Sequence, residues 1–170
     1  EAGWFDGQVN ILKSDVDRFL RSGFDLRKAI SNSDLSTPIE IFNVYRQRAS
    51  ALAQWSIWRL KKPFNFTGKG VVHIPNYVER IKKQPIYFNS EKEVQSYQEQ
   101  KLTDSLIELM ISGKTEQEAV KKLTKRYEAF QKRINQFDSD DVFGFFMNSL
   151  TMRFDPHSTY STPMAKEDLD

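Results

Sequence analysis

The strongest structural signal in the sequence is a regular spacing of apolar residues between positions 120 and 137. The residues concerned are Val120, Leu123, Tyr127, Phe130, Ile134 and Phe137. Steps of three and four alternate along this series, so all six side chains fall on one face of an α-helix. Such a face is typical of a seam that packs against another helix. The pattern therefore predicts a helix that belongs to a helical bundle.

Two earlier stretches carry helix-start signals of their own. Ser14 is a predicted N-cap with Asp17 as its acidic partner, although Gly23 interrupts the apolar pattern that follows. This region is therefore one helix with a weak point or two short helices. Thr37 is the predicted cap of a second helix, with Pro38 in its first turn, and Pro63 ends that helix near position 62.

Three further helices are predicted in the second half of the chain. Ser90 caps a helix that ends near Gly113, and Thr115 caps the helix that carries the apolar seam. Ser139 is the predicted cap of the last helix, which ends at Asp155-Pro156.

The segment between the second and third helices has no sustained period. The predicted fold is therefore all-α, an irregular helical bundle of about five helices with one long irregular loop at about 64–89. Residues 1–154 are the predicted helical domain, and residues 155–170 are a predicted exit segment that leaves it.

Composition excludes several classes of chemistry. The chain has no Cys, so it has no disulfide, thiolate metal site or Cys nucleophile. The net charge of +2 is too small to argue for nucleic acid, and no apolar run approaches the roughly 18 residues of a membrane span. Because the chain starts at Glu1 rather than Met, we expect a mature form or a portion from which any targeting segment has been removed.

Asp155, His157 and Ser158 are the one group with the composition of a catalytic triad. A triad needs the Ser and the Asp on opposite nitrogens of the imidazole, and side chains that are nearly adjacent in sequence diverge from the backbone. We interpret the group as a turn. His73 is the only other His, and no metal motif or phosphate-binding loop is present. The sequence thus predicts no catalytic, metal or cofactor site.

Two groups of residues are candidate binding surfaces. The seam helix carries basic residues away from its apolar face, which form either a site for acidic groups or an ordinary solvated surface: Lys121, Lys122, Lys125, Arg126, Lys132 and Arg133. Aromatic residues surround the end of the second helix and form either a binding patch or part of the core: Trp55, Trp58, Phe64 and Phe66. We favour the solvated surface and the core.

Several short motifs, in order along the chain, resemble those of the tail-specific proteases, the carboxyl-terminal processing peptidases of bacterial envelopes. They are Ser14-Asp15-Val16, Lys62-Pro63-Phe64-Asn65-Phe66-Thr67-Gly68, Gly113-Lys114-Thr115, Leu123-Thr124-Lys125-Arg126-Tyr127, Asp140-Asp141-Val142-Phe143 and Phe154-Asp155-Pro156-His157-Ser158-Thr159-Tyr160. The likeness runs from about Ile11 to Asp168. Ser161 departs from the Leu that is usual in the family, and residues 71–87 also differ.

The resemblance implies the N-terminal helical domain of a periplasmic serine endopeptidase with a PDZ domain and a Ser-Lys dyad. Such an enzyme cleaves proteins that carry an apolar C-terminal tail. The dyad would lie outside this chain, so this chain alone would be inactive. The implied partners are the PDZ and protease domains of the same parent, its protein substrates and an adaptor lipoprotein, with no nucleic acid and no membrane span. The exit segment towards the PDZ domain would contain Asp155, Pro156, His157, Tyr160 and Pro163.

The residues leave a second hypothesis open, that of a stand-alone helical binding module for an acidic or nucleic-acid partner. That module would lose affinity steeply as the salt concentration rises. A surface for docking an adaptor on the same helical domain is compatible with the protease hypothesis.

Overall fold

The computed structural model describes residues 11–23, 31–32, 34–66, 87–154 and 160. These ranges contain five α-helices: α1 (Lys13–Arg21), α2 (Ser36–Leu60), α3 (Glu91–Ile111), α4 (Glu116–Gln136) and α5 (Ser139–Phe154). The described part has no strand, and the all-α prediction is confirmed. Most of the predicted loop at 64–89 lies outside the described residues.

The helix starts at Ser90 and Thr115 are as predicted. Ser90 Oγ accepts a hydrogen bond from the Glu93 amide at 3.3 Å. Thr115 Oγ1 accepts from the Glu118 amide at 3.3 Å, and the Glu118 carboxylate accepts from the Thr115 amide at 2.9 Å. The Thr115 amide and the Thr115 hydroxyl both donate to the Glu118 carboxylate and lower the pKa of Glu118, the amide most strongly. Both motifs satisfy amides that the first helical turn leaves without a partner.

The predicted caps Ser14, Thr37 and Ser139 are wrong by one or two residues. The α2 helix begins at Ser36, whose amide donates to Asp34 Oδ1 at 2.9 Å. Hydrogen bonds from Ser36 lower the pKa of Asp34.

Aspartate side chains also accept hydrogen bonds from backbone amides at the starts of α1 and α5. The Leu12 amide donates to Asp15 Oδ2 at 3.1 Å. Asp138 Oδ1 accepts from the amides of Asp140 and Asp141 at 2.9 and 3.0 Å. A carboxylate is both an acceptor and a negative charge, so it suits the positive end of the helix dipole better than a nearby hydroxyl does.

Glycines with positive φ end two of the helices. Gly23 has φ +69° just after α1, so the predicted break in the first helical region is real. Gly113 has φ +92° after α3, and the Lys114 amide donates to the Leu109 carbonyl at 3.1 Å. This is the glycine C-cap that the sequence predicted.

Long-range contacts fix the direction of each helix. Ser50 and Arg46 of α2 contact Gln131 and Phe137 in that order, so α2 and α4 are antiparallel. In contrast, α2 and α3 are parallel. Their contacts advance together along both helices, in three pairs: Arg48 with Glu91, Ser56 with Gln98, and Arg59 with Glu99.

Because α2 and α3 are parallel, the connection between them must run back along the bundle. The chain must return from the end of α2 to the start of α3, and Arg59 already contacts a residue eight positions into α3. That return is about 12 Å at 1.5 Å per residue. The connection of residues 61–90 is much longer than this distance requires.

The apolar core runs along α2. At its C-terminal end, five residues are buried together: Leu60, Leu102, Leu106, Ala119 and Leu123. Near its N-terminal end, Tyr45, Ala49 and Ile134 form a second cluster, with Phe42, Phe130 and Phe137 packed against it. The predicted α4 seam contributes to both clusters and is confirmed. Leu20 of α1, in contrast, is 76% exposed, and α1 has no buried residue.

A polar layer crosses this core between α2, α3 and α4. The Gln98 side-chain amide, only 5% exposed, donates to Ser56 Oγ at 3.0 Å and to Tyr127 Oη at 2.6 Å. Ser56 in turn donates to the Leu52 carbonyl at 2.7 Å. Buried polar groups are costly unless they are hydrogen-bonded, so this layer favours the one helix register that satisfies it.

Arg59 closes the C-terminal end of α2. Its Nε donates to Glu99 Oε1 at 2.8 Å, and its Nη1 donates to the carbonyls of Lys62 and Pro63 at 3.3 and 3.2 Å. The guanidinium also lies 4.0 Å from the Phe64 ring centroid. One side chain thus joins α2 to α3 and orders the start of the following segment.

The hydroxyl of Tyr127 gives the polar layer a pH dependence. Burial raises the pKa of Tyr127 above its ordinary value of 10.0, although the Gln98 bond and the charge of Arg126 partly oppose this shift. The neutral phenol is favoured in the folded state, so its contribution to stability is complete below pH 10 and falls as the pH rises through the folded-state pKa.

We predict that the free energy of unfolding falls more steeply above pH 10 in the wild type than in Tyr127→Phe. Urea denaturation at pH 8, 9, 10 and 11 measures this, and a constant difference across the series contradicts it.

Arg59→Lys tests the role of the forked guanidinium. Lysine keeps the charge but cannot donate to Glu99 and to two carbonyls in the same geometry, so we expect a loss of about 1–2 kcal/mol of stability. Arg133→Lys is the matched control, because Arg133 is exposed and forms no ion pair with any described residue. Equal effects of the two substitutions on urea denaturation would contradict the role of Arg59.

Candidate functional site

The exit segment is described at one position beyond α5. The Tyr160 amide donates to Asn148 Oδ1 at 2.7 Å, and its ring meets Phe143 edge to face at 5.6 Å. Both partners lie in α5 well before its end at Phe154, so the chain has returned along the helix by residue 160. Tyr160 thus contacts the last helix, and the role of the segment between domains stays a prediction.

Most of the residues considered for chemistry lie outside the described residues. They are Asp155, Pro156, His157, Ser158 and Pro163 of the exit region, together with His73 of the long loop. In the part of the chain that the structure describes, no group of three or more His, Asp or Glu residues could hold a metal ion.

The aromatic residues near the end of α2 are divided between core and surface. Trp55, Phe64 and Phe66 pack against the buried cluster around Leu60, which favours the core interpretation for these three. Trp58 is 53% exposed, and the Lys62 ammonium lies 5.7 Å from its ring centroid.

A cleft of about 410 Å³, including its open mouth, lies between the start of α1, α2 and α3. Its walls are mainly apolar and come from Leu12, Ala51, Leu52, Trp55 and Val94, with Gln95 beside them. Arg48 lies at its rim, where it forms ion pairs with Asp15 at 3.2 Å and with Glu91. The guanidinium is thus occupied by two carboxylates of the domain itself, and the lining contains no nucleophile. The cleft thus lies at the junction of α1, α2 and α3.

The end of α3 exposes a small apolar face. Ile107, Met110 and Ile111 are 36%, 37% and 81% exposed. Their spacing of three and four places them together on the last turns of α3.

The basic residues of α4 are all exposed, as the sequence predicted. Reasoning from sequence missed the parts played by Arg48 and Arg59. The position of Arg59 in the last turn before Pro63 was an available signal, since a cation there can bond the free carbonyls of the helix end. No comparable local signal marked Arg48, because its partners are 33 and 43 residues away.

Comparison with known proteins gives one family. A profile of the family described as the tail specific protease N-terminal domain matches residues 6–164. The tail-specific protease of Haemophilus influenzae is 24% identical over 153 residues, which cover 89% of this chain. The same alignment covers only 21% of the Haemophilus protein, so the chain spans about a fifth of the length of that relative. The family match extends over nearly the whole chain, and the chain belongs to the family of tail-specific protease N-terminal domains.

Proposed function

We propose that this chain is the non-catalytic helical domain of a serine endopeptidase that selects proteins by an apolar C-terminal tail. The observation that carries the proposal is the family match over residues 6–164. The described residues form a packed core whose helices are joined by several ion pairs. The domain contributes shape and position to the parent enzyme.

The helical domain would form one wall of the substrate cavity and could also dock an adaptor lipoprotein. Tyr160 supports a defined exit, because it holds the chain against α5 instead of letting it leave in any direction. Asp155, Pro156, His157, Tyr160 and Pro163 would then position a PDZ domain relative to the bundle.

The parent would cleave peptide bonds with a Ser nucleophile and a Lys base, both outside this chain. A lysine can serve as the base when its surroundings keep it neutral. We place the parent in the bacterial periplasm. No helix in the described ranges is long and apolar enough to cross a membrane.

The first test concerns where the chemistry lies. We predict that the purified chain does not cleave an unfolded protein with an apolar C-terminal tail, whereas a parent extended through PDZ and protease domains does. The coding sequence after Asp170 should encode a PDZ domain followed by the Ser and the Lys. Cleavage by the chain alone that is lost in Ser158→Ala would contradict the proposal.

The second test concerns the exit segment. In the parent, Tyr160→Ala should slow cleavage of the tailed substrate, because the chain loses its contacts with Asn148 and Phe143 and no longer fixes the next domain. The matched control is Tyr87→Ala, which removes a half-buried Tyr just before α3. The measurement is kcat/KM beside the melting temperature of each variant. An equal loss of kcat/KM in the two variants would contradict a positioning role. So would a loss in Tyr160→Ala that its lower melting temperature fully explains.

A further inference from the structure

The positive charge of the chain is concentrated on α4. Residues 121–133 hold six basic residues and one acidic residue, Glu128, so this stretch has a net charge of +5 while the whole chain has only +2. The rest of the chain is therefore net acidic. The stretch is about 18 Å long at 1.5 Å per residue.

The six basic residues form two rows along the helix. One row is Lys121, Lys125 and Lys132, and the other is Lys122, Arg126 and Arg133. Each row advances by four and then seven residues, which keeps it nearly parallel to the helix axis, and the two rows are about 100° apart around that axis. We call these two rows the basic face of α4. All six residues are exposed.

The charge of this face is little neutralised by the domain itself. Of its six residues, Lys121, Lys122, Lys125, Lys132 and Arg133 form no ion pair with any residue in the described ranges. Glu118 has the spacing to pair with Lys122, but its carboxylate is bound to the Thr115 amide and hydroxyl at 2.9 and 3.0 Å. In contrast, Arg18, Arg48 and Arg59 on the other helices each have a carboxylate partner.

The chemistry of the face favours a flexible anionic chain over a folded partner. None of the large exposed apolar residues of the described chain lies on α4, so the face lacks the apolar anchors of a stable protein interface. It also lacks exposed aromatic rings on which nucleic-acid bases could stack. Because it has no large exposed apolar side chain, the face also offers nothing to insert into a lipid surface.

An extended acidic polypeptide fits the spacing of the rows. Side chains on one side of an extended chain repeat about every 6.6 Å, and residues four apart on a helix are about 6 Å apart along its axis. We propose that the basic face of α4 binds extended acidic segments of protein substrates. This inference rests on the proposed function, because it is as part of a protease that the domain would meet such segments.

The experiment measures binding of a fluorescent 15-residue Glu-rich peptide to this chain by anisotropy. A peptide with Gln in place of every Glu is the neutral control. We expect the Glu peptide to bind at low salt and its affinity to fall steeply as salt is raised, because exposed charges are screened. The triple variant Lys121→Gln, Lys125→Gln, Lys132→Gln should weaken binding about tenfold, if each exposed contact contributes in the ordinary range.

The matched control is Lys13→Gln, Lys61→Gln, Lys92→Gln, which removes the same charge from exposed positions outside α4. It should change affinity less than about twofold, and thermal melting should show both variants folded. Equal binding of the Glu and Gln peptides, or equal losses in the two triple variants, would overturn the proposal. Binding of single-stranded DNA or of phosphatidylglycerol vesicles in place of the peptide would overturn the assignment to polypeptide.

The binding assay needs no proteolysis, so a negative result would leave the proposed function standing. Conversely, failure of the cleavage test would not decide whether the chain binds the peptide.

Discussion

The long helices α3, α4 and α5 all pack against α2, and the rest of the domain depends on that arrangement. Its most extensive partner is the antiparallel α4, whose apolar seam covers α2 from the cluster at Ala49 to the cluster at Leu60. The parallel α3 fills the remaining side of the C-terminal half. Aromatic rings of Phe42, Phe137 and Phe145, with centroids 5.1–5.9 Å apart, then hold α5 across the other end.

Apolar packing alone would leave the helices free to slide past one another, and three polar features limit that freedom. Gln98 must meet both Ser56 and Tyr127 if its buried amide is to be satisfied, which pins α2, α3 and α4 in one register. Arg59 holds the end of α2 against α3, and Arg48 joins α1 and the start of α3 to the middle of α2. These groups explain how a bundle with a long connection can still have a single arrangement.

Local patterns predicted the helices well because their causes are local. The α4 seam, the Ser90 and Thr115 capping motifs and Gly113 are each set by neighbouring residues. The starts of α1, α2 and α5 were misplaced because a hydroxyl was preferred where an aspartate nearby is the better acceptor. The parallel pairing of α2 with α3 could not be predicted, since it rests on contacts such as Arg59 with Glu99, 40 residues apart. Short motifs spread along the chain indicated the family of the domain.

In the role proposed here, the domain contributes shape to a larger enzyme, and that shape depends on how firmly α2 is held. Hydrogen exchange measured amide by amide tests this most directly. We predict that the amides of residues 45–60 exchange only through global unfolding, with free energies equal to that from urea denaturation, while the amides of α1 exchange through smaller openings. Exchange of the α2 amides as fast as those of α1 would contradict the account.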